Sequence, residues 1–88
     1  STHTPTHVIH LTGGDTEGIV HKMSDVLTSM GINIIEIITD TKNAPITGAT
    51  IFQMMAKINL EATTVSELSD RLNTLEKKLG LDITLDSI

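Results

Sequence analysis

The chain has 88 residues, a net charge of -5, a single aromatic residue and no cysteine. A disulfide framework and a zinc–thiolate site are therefore excluded, which fits a cytoplasmic protein. Six scattered Lys and Arg residues, with Phe52 as the sole aromatic, leave neither a phosphate-binding patch nor a platform for stacking bases, so direct nucleic-acid binding is not expected. No apolar run is long enough to span a bilayer, and no charged-then-apolar leader opens the chain. The chain opens on Ser1 rather than methionine, which reads as a trimmed end or the cut edge of a longer protein. Its size fits one small domain over residues 7–86, with a thin core that gains from oligomerisation or from a second domain.

Residues 1–6 are polar and read as a flexible lead-in. Residues 7–12 alternate around Ile9 and Leu11, which predicts a first strand with Val8 and His10 on its other face. The stretch Gly13-Gly14-Asp15-Thr16-Glu17-Gly18-Ile19-Val20 follows. Paired glycines permit a tight turn, and Asp15 has the side chain of an N-cap. A helix start carries free amides and a partial positive charge, which can hold a small carboxylate. Read from the stretch alone, the turn is first a capped strand-to-helix connection, since most such turns bind nothing.

The first helix is predicted over residues 16–30. Ile19, Val20, Met23, Val26, Leu27 and Met30 form its apolar stripe, and Gly31 stops it at the position after the cap. Residues 32–41 hold five isoleucines and read as a second strand. Simple alternation points Ile35 and Ile37 one way and Ile34 and Ile38 the other. A strand apolar on both faces is expected to be covered on both, by a helix and by a partner chain or second domain.

Pro45 and Gly48 punctuate a polar turn over residues 42–48. Residues 49–60 alternate cleanly and predict a third strand. Phe52, Met54, Ala56, Ile58 and Leu60 share one face; Ile51, Gln53, Met55, Lys57 and Asn59 share the other. The methionines read as adaptable packing rather than soft-metal ligands. Thr64-Val65-Ser66-Glu67 matches a capping box. The second helix then carries Val65, Leu68, Leu72, Leu75 and Leu79 as its stripe, with Glu67 and Arg71 spaced as an i,i+4 ion pair. Gly80 ends it, and residues 81–85 give a short last strand.

The order is β-α-β-β-α-β. Right-handed crossovers make the first and third strands neighbours, with the second and fourth outside. The expected architecture is α+β: a ferredoxin-like sandwich, a four-stranded antiparallel sheet with two helices on one face. The opposite sheet face and the edge of the second strand are left open. A long apolar edge strand is normally hidden, so a homodimer is expected through the second strand or the first helix.

No catalytic constellation is present in the sequence. Asp15 and Glu17 have no His or Lys partner close by, and they read as helix-dipole compensation. His7 and His10 point to opposite faces of a strand and cannot share a metal as a simple pair; no metal and no cofactor are expected. Asn33 reads as a polar turn residue or as a ligand contact.

The glycine turn at residues 13–20, with Gly31-Ile32-Asn33-Ile34, resembles the ACT domain, whose first strand leads into G-x-D-x-P-G-I-V and whose first helix ends in G-x-N-I. The likeness spans nearly the whole chain. The stretches Asn43-Ala44-Pro45-Ile46-Thr47-Gly48, Ile51-Phe52-Gln53-Met54 and Leu79-Gly80-Leu81-Asp82-Ile83-Thr84-Leu85 look most like ACT domains of glycine-cleavage-system transcriptional repressor proteins. The resemblance implies a regulatory, non-catalytic module that pairs side by side, binds a small amino-acid effector and passes a packing change to a protein partner such as a transcription regulator. It implies a binding site from Gly14, Asp15, Glu17, Gly18 and Ile19, with Asn33 and Ile34 supplied by the neighbouring copy. It also admits the regulatory part of an amino-acid or folate enzyme. The family's proline falls at Glu17, whose charge competes with an incoming carboxylate, so a dimerisation module without a ligand is a further alternative. Relatives of the repressor type usually carry two such domains in tandem; this chain has one, which reads as a fragment or a stand-alone form.

Overall fold

A computed structural model describes residues 4–14 and 18–88. Its elements are β1 (His7–Gly14), α1 (Ile19–Ser29), β2 (Asn33–Asn43), β3 (Thr50–Asn59), α2 (Val65–Leu79) and β4 (Asp82–Ser87). They form one antiparallel sheet in the order β2-β3-β1-β4. Ile9 and Leu11 of β1 stand opposite Ala56 and Met54 of β3, and opposite Leu85 and Ile83 of β4. These side chains meet Ile19, Met23 and Leu27 of α1 and Leu68 and Leu72 of α2 in one core. Both helices thus lie on one sheet face, as the apolar stripes require. Each fully buried Ile, Leu or Met among them contributes roughly 1.5–3 kcal/mol by leaving water.

The helix ends show why the chain turns where it does. Gly31 takes φ +74, its N–H donates to the Thr28 carbonyl, and Ile32 N–H donates to the Leu27 carbonyl. This paired arrangement satisfies two orphan carbonyls and packs buried Ile32 near buried Leu27. Gly80 ends α2 at φ +68, with Leu81 N–H on the Glu76 carbonyl. The start of α2 is capped as expected, Thr64 Oγ1 accepting from Glu67 N–H at 3.1 Å. Thr63 Oγ1 donates to the Met30 carbonyl at 2.7 Å, joining the end of α1 to the loop before α2. Within the expected lead-in, Thr6 N–H donates to the Ile58 carbonyl at 2.8 Å and Ile88 N–H to the Thr6 carbonyl at 3.1 Å.

Several local expectations are corrected. α1 starts at Ile19, and its N-cap is Gly18 in a left-handed conformation with no side-chain cap bond. The capping role expected of Asp15 falls on a residue that is not described. Asp15, Thr16 and Glu17 themselves lie outside the described residues. Gly13 and Gly14 continue β1 rather than forming the turn. Gly13 lies close against Leu81: a Cβ there would collide with Leu81 Cδ2, and that side chain would have to shift. Strand β2 contains a bulge, because Ile34 pairs with Ile58 while Glu36 pairs with Lys57. The extra residue, Ile35, shifts the alternation by one. Ile34 and Ile37 therefore both pack on the core, and Ile38 lies on the opposite face, 48% exposed. Val65, assigned to the buried stripe of α2, is 47% exposed. Glu67 and Arg71 do not close an ion pair; among the described residues the pairs are His21–Asp25 and Lys57–Glu36.

Candidate functional site

The turn between β1 and α1 is built by opposing needs. β1 runs in the sheet as far as Gly14, paired with Ile51. α1 must then start far enough back over the sheet to bury Ile19. The left-handed residue that allows this reversal is Gly18, at φ +79, where a side chain would be strained. Its carbonyl accepts the first intrahelical bond, from Lys22 N–H at 2.9 Å. The amides of Ile19, Val20 and His21 precede that bond and carry the positive end of the helix dipole. No acidic residue lies in the first helical turn. Ile19 is 3% exposed, so it can offer a ligand only its main chain.

The other half of the expected site is elsewhere. Asn33 opens β2 opposite Asn59, and Ile34 stands opposite Ile58 with its side chain against the core. Gly14 is level with Ile51 and Asn33 with Asn59, eight residues apart on β3. At the rise of an extended strand this is about 26 Å. One chain therefore keeps Gly14, Gly18 and Ile19 together at one end of the sheet and Asn33 and Ile34 at the other. Asp15 and Glu17 are outside the described residues.

Three hollows lined by described residues lie away from this turn. One, of about 280 Å³, sits on the helix-free sheet face, where its floor includes His10, Thr12, Ile38, Gln53 and Met55. Sequence reasoning did not single it out. The alternation of β3 already placed Gln53 and Met55 on that face, but the bulge in β2 concealed that Ile38 joins them. A second hollow, of about 260 Å³, lies between the helices beside Lys22, Asp25 and Lys78. A third, of about 370 Å³, lies near Thr63, Asp70 and Arg71. His10 belongs to the open face and His21 to a helix on the other side of the sheet. No group of His, Asp and Glu among the described residues could hold a metal ion. No helix among them is long and apolar enough to cross a membrane.

No protein-family model matches the chain, and no curated protein matches it significantly. Solved structures do. A protein of unknown function from Galdieria sulphuraria is 32% identical over all of this chain, with a TM-score of 0.83; the chain spans about half (52%) of that protein. An ACT domain protein from Streptococcus pneumoniae is 22% identical, with a TM-score of 0.73, over 96% of this chain and 90% of that one. A formyltetrahydrofolate deformylase from Pseudomonas syringae pv. tomato is 19% identical, with a TM-score of 0.78, over 96% of this chain but only 28% of the enzyme.

Proposed function

We propose that a chain with this ACT-type, ferredoxin-like fold is a non-catalytic regulatory module that binds a small amino acid between two copies of itself. The observation that carries this reading is the separation of Gly14 from Asn33. The two half-sites implied by the resemblance to the ACT domain lie at opposite ends of one sheet, which supports a site completed by a second molecule. Each copy would offer the amides at the start of α1 to the effector's carboxylate. The Asn33 side chain of the other copy would reach its ammonium group. Pairing through the β2 edge and α1 would hide a strand that is exposed from Ile38 to Asn43. Glycine or serine is the effector favoured by the glycine-cleavage-repressor likeness of the sequence. The packing change at that interface would be read by a transcription regulator in the cytoplasm.

A second reading takes the chain as the regulatory part of a larger enzyme of amino-acid or folate metabolism. The likeness to a stretch of formyltetrahydrofolate deformylase supports it. Calorimetric titration with amino acids, singly and pooled, tests the binding claim alongside sedimentation at rising concentration. A dimer whose heat of binding is abolished by Asn33→Ala supports it. A monomer at every concentration, or the absence of heat with every amino acid, overturns it. In the Glu17→Pro variant the like charge is gone; tighter effector binding is expected. No gain would favour a dimerisation module without a ligand.

A further inference from the structure

The helix-free face of the sheet has a charge pattern that the register makes plain. Across its middle run Ile38, Met55, His10 and Thr84, one from each strand. The row on one side of it runs Glu36, Lys57, Val8, Asp86; the row on the other side runs Asp40, Gln53, Thr12, Asp82. The carboxylates thus occupy the four corners, on the two outer strands. The two central strands carry no carboxylate in these rows; their basic side chains are His10 and Lys57, the latter 3.6 Å from Glu36. Ile38 is 48% exposed and lines the hollow that lies between the middle row and the row of Asp40, Gln53 and Thr12.

The corners have a size. Three strand spacings separate Glu36 from Asp86, about 14 Å, and four residues separate Asp82 from Asp86, about 13 Å. An α-helix with its side chains is about 10–12 Å wide. Laid along β3 and β1, it would cover Met55 and Val8 and bring both of its flanks over carboxylates.

A second copy of this chain fits poorly on the same face. With a twofold axis along the strands, β2 lies over β4, setting Glu36 against Asp86 and Asp40 against Asp82. With the axis across the strands through Met55, Asp82 meets Asp86 and Glu36 meets Asp40. Like charges facing one another oppose both stacks.

We propose that this face docks an amphipathic helix of another protein, apolar along one side and bearing Lys or Arg on both flanks. The acidic corners select the partner's sign, and Ile38, Met55 and Val8 take its apolar stripe. The site is separate from the turn after β1 and does not depend on effector binding.

The test uses the whole isotope-labelled chain and two synthetic 18-residue helical peptides with a leucine stripe, one flanked by lysines and one by glutamates. Binding is read from amide chemical shifts and from fluorescence anisotropy. The lysine peptide is expected to bind, to move the amides of Val8, His10, Gln53 and Met55, and to weaken with salt. The double variant Asp82→Asn, Asp86→Asn should weaken it roughly five- to tenfold, and Ile38→Ser should weaken it without changing the salt dependence. Failure of the lysine peptide to bind overturns the proposal. Equal binding of both peptides, shifts confined to the helices or the β2 edge, or the same shifts produced by concentrating the chain alone would also overturn it.

Discussion

The Glu76 carboxylate, on the last turn but one of α2, accepts the backbone N–H of Ile83 at 2.8 Å. Ile83 faces the core from β4, and β4 is the edge of the sheet away from β2. One side chain thereby fastens the helix to an edge strand and occupies an amide that would otherwise be open to strand pairing. Glu76→Ala should cost about 1–2 kcal/mol in urea unfolding, and Glu76→Gln, which keeps an acceptor, less than half of that. The Ile83 amide should lose its hydrogen-exchange protection in the alanine variant. Unchanged exchange there would show that the bond does not hold the strand.

Gly13 and Gly14 make a controlled pair. Both lie in β1, and neither has positive φ. A Cβ at Gly13 would collide with the end of the Leu81 side chain, while one at Gly14 would meet nothing within 4 Å. Gly13→Ala is expected to destabilise by about 1–3 kcal/mol through overpacking, and Gly14→Ala by less than about 0.5 kcal/mol. Leu81→Val should recover part of the Gly13→Ala loss in a double-mutant cycle. Equal effects of the two alanines would refute the close-approach explanation.

The stripe of α2 separates into buried and exposed members. Leu68 is fully buried, whereas Val65 is about half exposed. Leu68→Ala should cost about 2–5 kcal/mol, and Val65→Ala should stay within about 0.5 kcal/mol of the parent. Thermal unfolding of the two variants side by side checks this. Similar losses would place Val65 in the core after all.

Gly31 carries the reversal from α1 into β2. A Cβ there would meet no atom within 4 Å, so the cost of Gly31→Ala is backbone strain alone, about 1–2 kcal/mol. Asparagine tolerates the left-handed region better, and Gly31→Asn should recover much of that loss. If asparagine proves as harmful as alanine, the left-handed strain is not the cause.

Much of the architecture was legible because it is local. The clean alternation of β3, the Thr64 cap and the glycines after each helix announce their elements through backbone chemistry that needs no distant partner. From the element order, right-handed crossovers give the strand order β2-β3-β1-β4. The start of α1 was less legible: Gly13 and Gly14 look like turn residues in isolation, but the ladder with β3 carries the strand through both of them. The candidate effector site was legible only in halves. Gly14 and Gly18 are close in sequence and close in space, whereas Asn33 is set at the far end of the sheet by the direction of β2.

The residues themselves fix which segments are strands and helices, where the helices stop, and that a two-helix layer must cover one side of four strands. Those outcomes follow from hydrogen bonds and apolar periodicity within a few turns of chain. The phase of β2 after Ile35, the displacement of Val65 from the core, and the acidic frame around Met55 follow from strand pairing and packing. A one-residue bulge exchanges the two faces of a strand without leaving a mark in a run of isoleucines, and only the neighbouring strand says which face is buried.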